Sequence, residues 1–321
     1  MGGRVTSPFG YSSTAGEVAA GHDLTGKRAI VTGGATGIGI ETARALAERG
    51  AEVTLAVRKP DLGAAACADI NATAGAGRAR VGHLDLSILS SVRDFAGAWG
   101  GQPLHILINN AAVMACPQSY TTDDLEMQIG TNHFGHYLLS VLLAPALKAG
   151  ADQAGKASRL VSLSSIGHRR GGVNFEDPHY RHRPYDKWEA YGQAKSANAL
   201  FAVGFHDRFK DQGVIANAVM PGGIMTPLQR HLPREEMIAF GWMDEDGKIN
   251  DRFKSTQQGA ATSVWAALGP ELEGVGGLYL ENCAQATPFN PDIPFEGVMP
   301  HALDPAAADR LWALSIETTG A

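Results

Sequence analysis

The chain has little of several things that would place it in other classes. Its 321 residues hold three cysteines, Cys67, Cys116 and Cys283, far apart and without a CxxC pair. That spacing argues against a disulfide framework and against a cysteine zinc site, and it suits a reducing compartment. Basic runs are also missing: 27 Lys and Arg stand against 33 Asp and Glu, a formal charge of -6. Nothing here would track a phosphate backbone, so no nucleic-acid partner is expected. No stretch approaches the ~18 consecutive apolar residues of a transmembrane helix. The opening MGGRVTSPFGYSSTAGEVAAGHD lacks the continuous apolar core of a secretory signal. MGGRVTS does fit the myristoylation pattern at Gly2, but no other segment follows membrane logic. The expectation is a cytoplasmic protein with no membrane partner, whose first residues, to about 23, form a flexible or loosely docked extension.

What is present is alternation. RAIVTG, AEVTLAV, ARVGHLD, LHILINN, SRLVSLSS and VIANAVMPG are short runs rich in apolar and β-branched residues, each followed by a helical or loop segment, and GGLYL at 276–280 closes the series. Strands alternating with helices imply a parallel sheet covered on both faces. Strands apolar on consecutive positions agree with that, since neither face meets water. The pattern predicts one α/β domain over 24–281 with seven mostly parallel strands. Residues 224–256 depart from it, mixing apolar and charged residues without a steady period, and are expected to be a mobile insertion over a substrate. Residues 282–321 form a tail whose Asp304 reads as a helix N-cap, Pro305 as the first helical residue, and Leu311, Trp312 and Leu314 as a docking face.

Two stretches carry chemistry. TGGATGIG at 32–39 lies between the first strand and the helix IETARALAERG. Gly33, Gly37 and Gly39 would let the backbone turn and approach a pyrophosphate, with the helix N-terminus supplying free N–H groups. At the end of the second strand, where an acidic residue would bind the ribose hydroxyls of NAD, stand Val57, Arg58 and Lys59. Arginine offers phosphate a planar fork of donors, so NADP(H) is favoured and NAD(H) is the alternative. The second stretch is KWEAYGQAK, which sets Tyr191 four positions before Lys195. On a helix these share a face, and a neighbouring ammonium would lower the phenol's pKa.

In order along the chain come TGGATGIG, Asp85-Leu86, NNAA at 109–112, Asn132 in TNHFGHYLL, Ser164-Ser165, YGQAK at 191–195 and PGG at 221–223. This series resembles the short-chain dehydrogenase/reductase family over residues 27 to about 280. The resemblance implies a doubly wound Rossmann fold. It implies that Tyr191 exchanges a proton with a carbonyl or alcohol oxygen, that Lys195 lowers its pKa and holds the nicotinamide ribose, and that Ser165 holds the substrate oxygen, with Ser164 as competitor. It also implies a water-linked proton path maintained by Asn132. For the cofactor, it implies Thr36 and Ile38 beside the three glycines, Asp85 and Leu86 at the adenine, Asn109 and Ala111 in the groove, and Pro221, Gly222 and Thr226 at the nicotinamide. Ala112 stands where the family usually has glycine.

The long interval between Ser165 and Tyr191, NNAAVM, PGGIMTPLQRH and the tail are similar to the branch containing retinol dehydrogenases and WW-domain oxidoreductases. The implied activity is NADP(H)-dependent interconversion of an alcohol and a carbonyl on a medium-sized, largely apolar small molecule. Carbon–carbon double-bond reduction of the protochlorophyllide-reductase type, or cofactor binding without turnover, are the alternatives. A homo-oligomer, dimer or tetramer, is possible through the helices carrying Asn132 and Tyr191, unless the tail covers them. No metal is expected: His168, His179 and His182 read as a solvated loop, and His133 and His136 as packing residues. Met225, Met237, Trp242 and Met243 fit core and substrate pocket equally, and Asp244, Glu245 and Asp246 an exposed turn.

Overall fold

A computed structural model describes residues 3–321, and the Gly2 acylation pattern lies outside them. The apolar runs form β1 (Arg28–Thr32), β2 (Glu52–Val57), β3 (Ala79–His83), β4 (Ile106–Asn109), β5 (Ser158–Leu163), β6 (Val214–Met220), β7 (Tyr279–Glu281) and β8 (Ala284–Gln285). The helices are α1 (Ala15–Ala19), α2 (Gly37–Glu48), α3 (Pro60–Ala74), α4 (Leu89–Trp99), α5 (Met127–Ile129), α6 (Gly135–Ala154), α7 (Lys187–Phe209), α8 (Arg234–Ala239), α9 (Thr256–Leu268) and α10 (Pro305–Thr319). Side chains alternate faces along a strand, and β1 illustrates why both faces must be apolar. Ala29 and Val31 enter the layer under α1, α2, α3 and α9, while Ile30 enters the one under α4, α6 and α7. Each such fully buried Val, Leu or Ile contributes about 2 kcal/mol.

The strands lie in the order β3-β2-β1-β4-β5-β6-β7-β8. β1 to β7 are parallel, and β8 is antiparallel to β7. The sheet therefore has eight strands where seven were expected. The extra edge strand follows a two-residue turn at Asn282 and Cys283, both at positive φ (49° and 55°), the backbone that hairpin turns favour. Strand order reverses between β1 and β4, and the glycine-rich loop opens there. In open α/β sheets that crevice is where ligands bind.

Both terminal segments of the described residues are built into the domain. The N-terminal segment is not a loosely docked extension. Thr6 bridges to Ala284 on the sheet edge, Ser7 Oγ donates to Cys283 O at 2.7 Å, and Ala15, Val18 and Ala19 of α1 are buried against α9. Apolar side chains at 15, 18 and 19 give even this short helix one apolar face. At the other end Asp304 accepts from Ala306 N at 2.9 Å, Pro305 begins α10, Leu311 is buried, and Trp312 packs across α7. The segment Met127–Ala154 is long and apolar enough to cross a membrane by length and composition, and 72% of its apolar window is buried in the domain.

Candidate active site

One cleft of about 840 Å³ runs from the glycine-rich loop to the insertion. Gly33 and Gly37 take φ of +64° and +59°, and a Cβ at Gly39 would sit 2.5 Å from Gly33 O. Bulkier residues would close this turn. Thr36, the N-cap of α2, makes no side-chain cap bond, and the first turn of α2 carries no acid. These N–H groups thus face the cleft without competition, a cradle that fits the pyrophosphate of a dinucleotide. Ile38, Arg58, Lys59, Asp85, Leu86, Ala111, Pro221, Gly222 and Thr226 all line the same cleft.

Asn109 does not. It is buried in β4, its Nδ2 donating to Ser140 Oγ of α6 at 2.8 Å. The groove position belongs to Asn110, whose Nδ2 donates to Thr32 O at 2.8 Å and ties the NNAA loop to the end of β1. Sequence order alone leaves the choice between adjacent asparagines open, because successive strand side chains face opposite ways.

The reacting end is assembled from three elements. β5 delivers Ser164 and Ser165 at its C-terminal end, and α7 delivers Tyr191 and Lys195 one turn apart. Ser164 Oγ directs its proton to Lys195 O at 2.7 Å, which leaves Ser165 as the hydroxyl beside Tyr191. Ser165 Oγ accepts from Gly167 N at 3.1 Å, so its own proton remains free for a substrate oxygen. A Cβ on Gly167 would lie 2.9 Å from the Tyr191 ring, so glycine is required there. Asn132 stands behind the wall. It sits in a π-helical stretch, Gly130–Phe134, and exchanges both amide hydrogen bonds with the Val113 backbone, at 2.8 and 2.9 Å. π-bulges of this kind are frequent at functional sites, and here the side chain holds the loop that follows NNAA.

Electrostatics depart from expectation. Tyr191 is buried and pushed up to about 12 by burial, against which the Ser165 hydroxyl acts. Lys195 is pushed down to about 7, also by burial. Its Nζ donates to Leu163 O at 2.8 Å and lies 5.7 Å from the Tyr191 ring centroid. Burial thus raises the phenol pKa where a neighbouring lysine charge was expected to lower it, and the Ser165 hydroxyl is what acts the other way. At neutral pH Tyr191 therefore keeps its proton.

Beyond Tyr191 the cleft turns apolar. Met114, Leu232, Leu228, Met237, Trp188 and Trp242 pack around the phenol, and Phe240 and Phe253 extend the aromatic wall. Trp242 therefore lines the cleft and Met237 packs in the cluster beside it, while Asp244, Glu245 and Asp246 are exposed as expected. Three residues at or behind the cleft were not singled out by the sequence. Arg230 of the insertion lines the cleft near Arg58, and its pKa is lowered by burial and by the Arg58 charge. Tyr11 of the N-terminal segment donates to Arg252 O at 2.5 Å at the rim. Lys254, buried under Gly222, donates to Asn282 Oδ1 at 2.8 Å.

His168 is a correction: it is buried, not solvated, and bonded to Ser165 O at 2.7 Å. His182 is exposed, and His179 Nδ1 accepts from Glu126 N at 3.2 Å. Among the described residues no cluster of three or more His, Cys, Asp or Glu is placed to hold a metal ion. His133 and His136 are buried packing residues, bonded to Ser315 Oγ and to Thr32 Oγ1 respectively, each at 2.8 Å.

The short chain dehydrogenase family model matches residues 27–237. A probable oxidoreductase of Streptomyces lividans is 49% identical over 303 residues, covering 93% of this chain and 99% of that protein. Retinol dehydrogenase 12 of Mus musculus is 39% identical over 299 residues, covering 92% and 87%. The crystal structure of an uncharacterised protein from Mycobacterium paratuberculosis superposes with a TM-score of 0.72 at 33% identity, covering 96% and 98%. With the glycine-rich crevice, the Ser165, Tyr191 and Lys195 cluster and these matches together, the chain belongs to the short-chain dehydrogenase family, on its retinol dehydrogenase-like branch.

Proposed function

We propose that the protein is a cytoplasmic NADP(H)-dependent oxidoreductase that interconverts a carbonyl and an alcohol on a medium-sized, largely apolar substrate. The observation that carries this reading is the placing of a neutral Tyr191 phenol and a Ser165 hydroxyl with a free proton at the apolar end of the cleft whose other end holds Arg58. The nicotinamide cofactor supplies the hydride when bound. Tyr191 gives its proton to the carbonyl oxygen, which also accepts from Ser165. The phenolate left behind is stabilised by the Lys195 ammonium one helical turn away, and oxidation runs the same transfer backwards. The walls of Met114, Leu228, Trp242 and Phe253 suit an apolar substrate, as does the likeness to a retinol dehydrogenase. Arg58 and Arg230, on one cleft, support a phosphate of NADP(H). Three free, buried cysteines agree with a reducing compartment.

The test is a fluorescence titration with NADPH and NADH on the wild type and Arg58→Ala, followed by turnover of Tyr191→Phe. NADPH is expected to bind at least tenfold tighter, about 1.4 kcal/mol, and Arg58→Ala to lose that preference. Tyr191→Phe is expected to lower turnover by about 10²- to 10⁴-fold, the usual weight of a general acid. Equal binding of NADH would overturn the cofactor assignment, and unchanged turnover in Tyr191→Phe the catalytic one.

A further inference from the structure

We propose that His168 is the positioning residue of Ser165, and that the C-terminal segment beginning at Met299 locks it in that role. The proposal rests on the reading of Ser165 as a donor to the substrate oxygen. Ser165 stands between the end of β5 and a 3₁₀ turn, Ile166–Arg170, where no sheet ladder holds its peptide plane. The direction of its hydroxyl therefore depends on what grips its backbone.

Its carbonyl is gripped three times: by His168 N at 3.1 Å, by His168 Nδ1 at 2.7 Å and by Tyr279 Oη at 3.1 Å. The tautomer follows from the partners. Met299 N donates to His168 Nε2 at 3.1 Å, so Nε2 must be the bare nitrogen and Nδ1 must carry the proton. A protonated Nδ1 cannot accept from Tyr279, 3.1 Å away, which directs the phenol proton to Ser165 O as well. Burial holds the ring neutral, its pKa pushed down to about 4, so the tautomer persists at neutral pH. The next residue but one in the tail repeats the hold from the other side: His301 Nε2 donates to His168 O at 3.0 Å. The tail thus reaches the reacting serine through one imidazole, while Asn132, Tyr191 and Lys195 are set by α6, α7 and their neighbours.

Met299 offers a substitution that removes one hydrogen atom from this chain of contacts. Its φ is -77°, within the range of proline, which has no N–H. Met299→Pro deletes the donor to Nε2, and Met299→Ala keeps it while removing the same side chain. With decanal and NADPH as the probe reaction, Met299→Pro is expected to lower kcat at least fivefold relative to Met299→Ala, with NADPH Kd within twofold in both. His168→Phe is expected to lower kcat at least tenfold, and His168→Asn, which keeps a donor near the Nδ1 position, to recover most of it. Independently of any substrate, ¹⁵N NMR of the imidazoles is expected to find the proton of His168 on Nδ1. A proton on Nε2, equal kcat in Met299→Pro and Met299→Ala, or equal losses in His168→Phe and His168→Asn would each overturn the proposal. Intact turnover in Tyr191→Phe, or no NADPH oxidation by the wild type, would count against the catalytic reading instead, and the NMR result then decides alone whether His168 holds Ser165.

Discussion

Lys195 is an expensive residue for this fold to bury. Its ammonium sits where desolvation moves the pKa from 10.5 to about 7, with Leu163 O as its hydrogen-bond acceptor. A group whose folded pKa is depressed in this way binds fewer protons folded than unfolded between pH 7 and 10.5. Stability therefore rises with pH across that window, and the penalty is fully present below it. The shift corresponds to a cost on the order of 5 kcal/mol. Lys195→Met is accordingly expected to abolish turnover yet to raise the melting temperature of the cofactor-free protein at pH 6, with the gain shrinking toward pH 10.5. Thermal melts of both proteins at the two pH values check this, and a variant that melts lower at pH 6 contradicts it.

At the scale of elements, α10 shows how local signals and tertiary packing divide the work. Asp304 caps the helix and Pro305 starts it, both readable from chain order. What the helix is for appears only in contact: Trp312 meets Tyr137 at 5.0 Å between ring centroids, lies nearly parallel to Phe201 and carries Arg208 over its face, while Ser315 bonds His133. Asp304→Ala is expected to cost about 1 kcal/mol, the loss of one cap. Trp312→Ala is expected to cost about 3 kcal/mol, the low end for aromatic truncation because the indole is only partly buried. Urea denaturation measures both, and the two losses falling in the reverse order would show that the cap, not the docked face, holds the helix. The same helix covers outer surface of α7 that the sequence left available for a second subunit.

At the scale of the whole molecule, the N-terminal segment closes the sheet. β8 is an edge strand, and edges left open invite pairing with other chains. Here Thr6 bridges to it, Val5 N donates to Gln285 Oε1 at 3.1 Å, and α1 covers α9 beyond. Deleting residues 1–19 exposes that edge together with the face of α9. The truncated chain is expected to melt at least about 5 °C lower, since 1 kcal/mol moves a domain of this size by roughly 2–4 °C, and to self-associate on a sizing column. An unchanged melting temperature would mean that the segment only lies on the domain.

The sequence by itself determined the strand succession, the glycine-rich turn, the arginine at the end of β2, the pair Tyr191 and Lys195 and the cap of α10. These are local facts: a periodicity of two, a turn that only glycine permits, a one-turn spacing on a helix, an oxygen placed to meet free N–H groups. The tertiary structure decided the rest. β8 hangs on a turn at Asn282 and Cys283 without the glycine that usually marks such a turn. Asn110 rather than Asn109 enters the groove because of which face of β4 packs on α6. His168 sits among arginines and glycines that read as solvated loop, and is buried because Met299 and His301, more than 130 residues later, close over it. The pKa values of Tyr191 and Lys195 likewise follow from how completely the assembled fold excludes water, and no spacing along a chain encodes that.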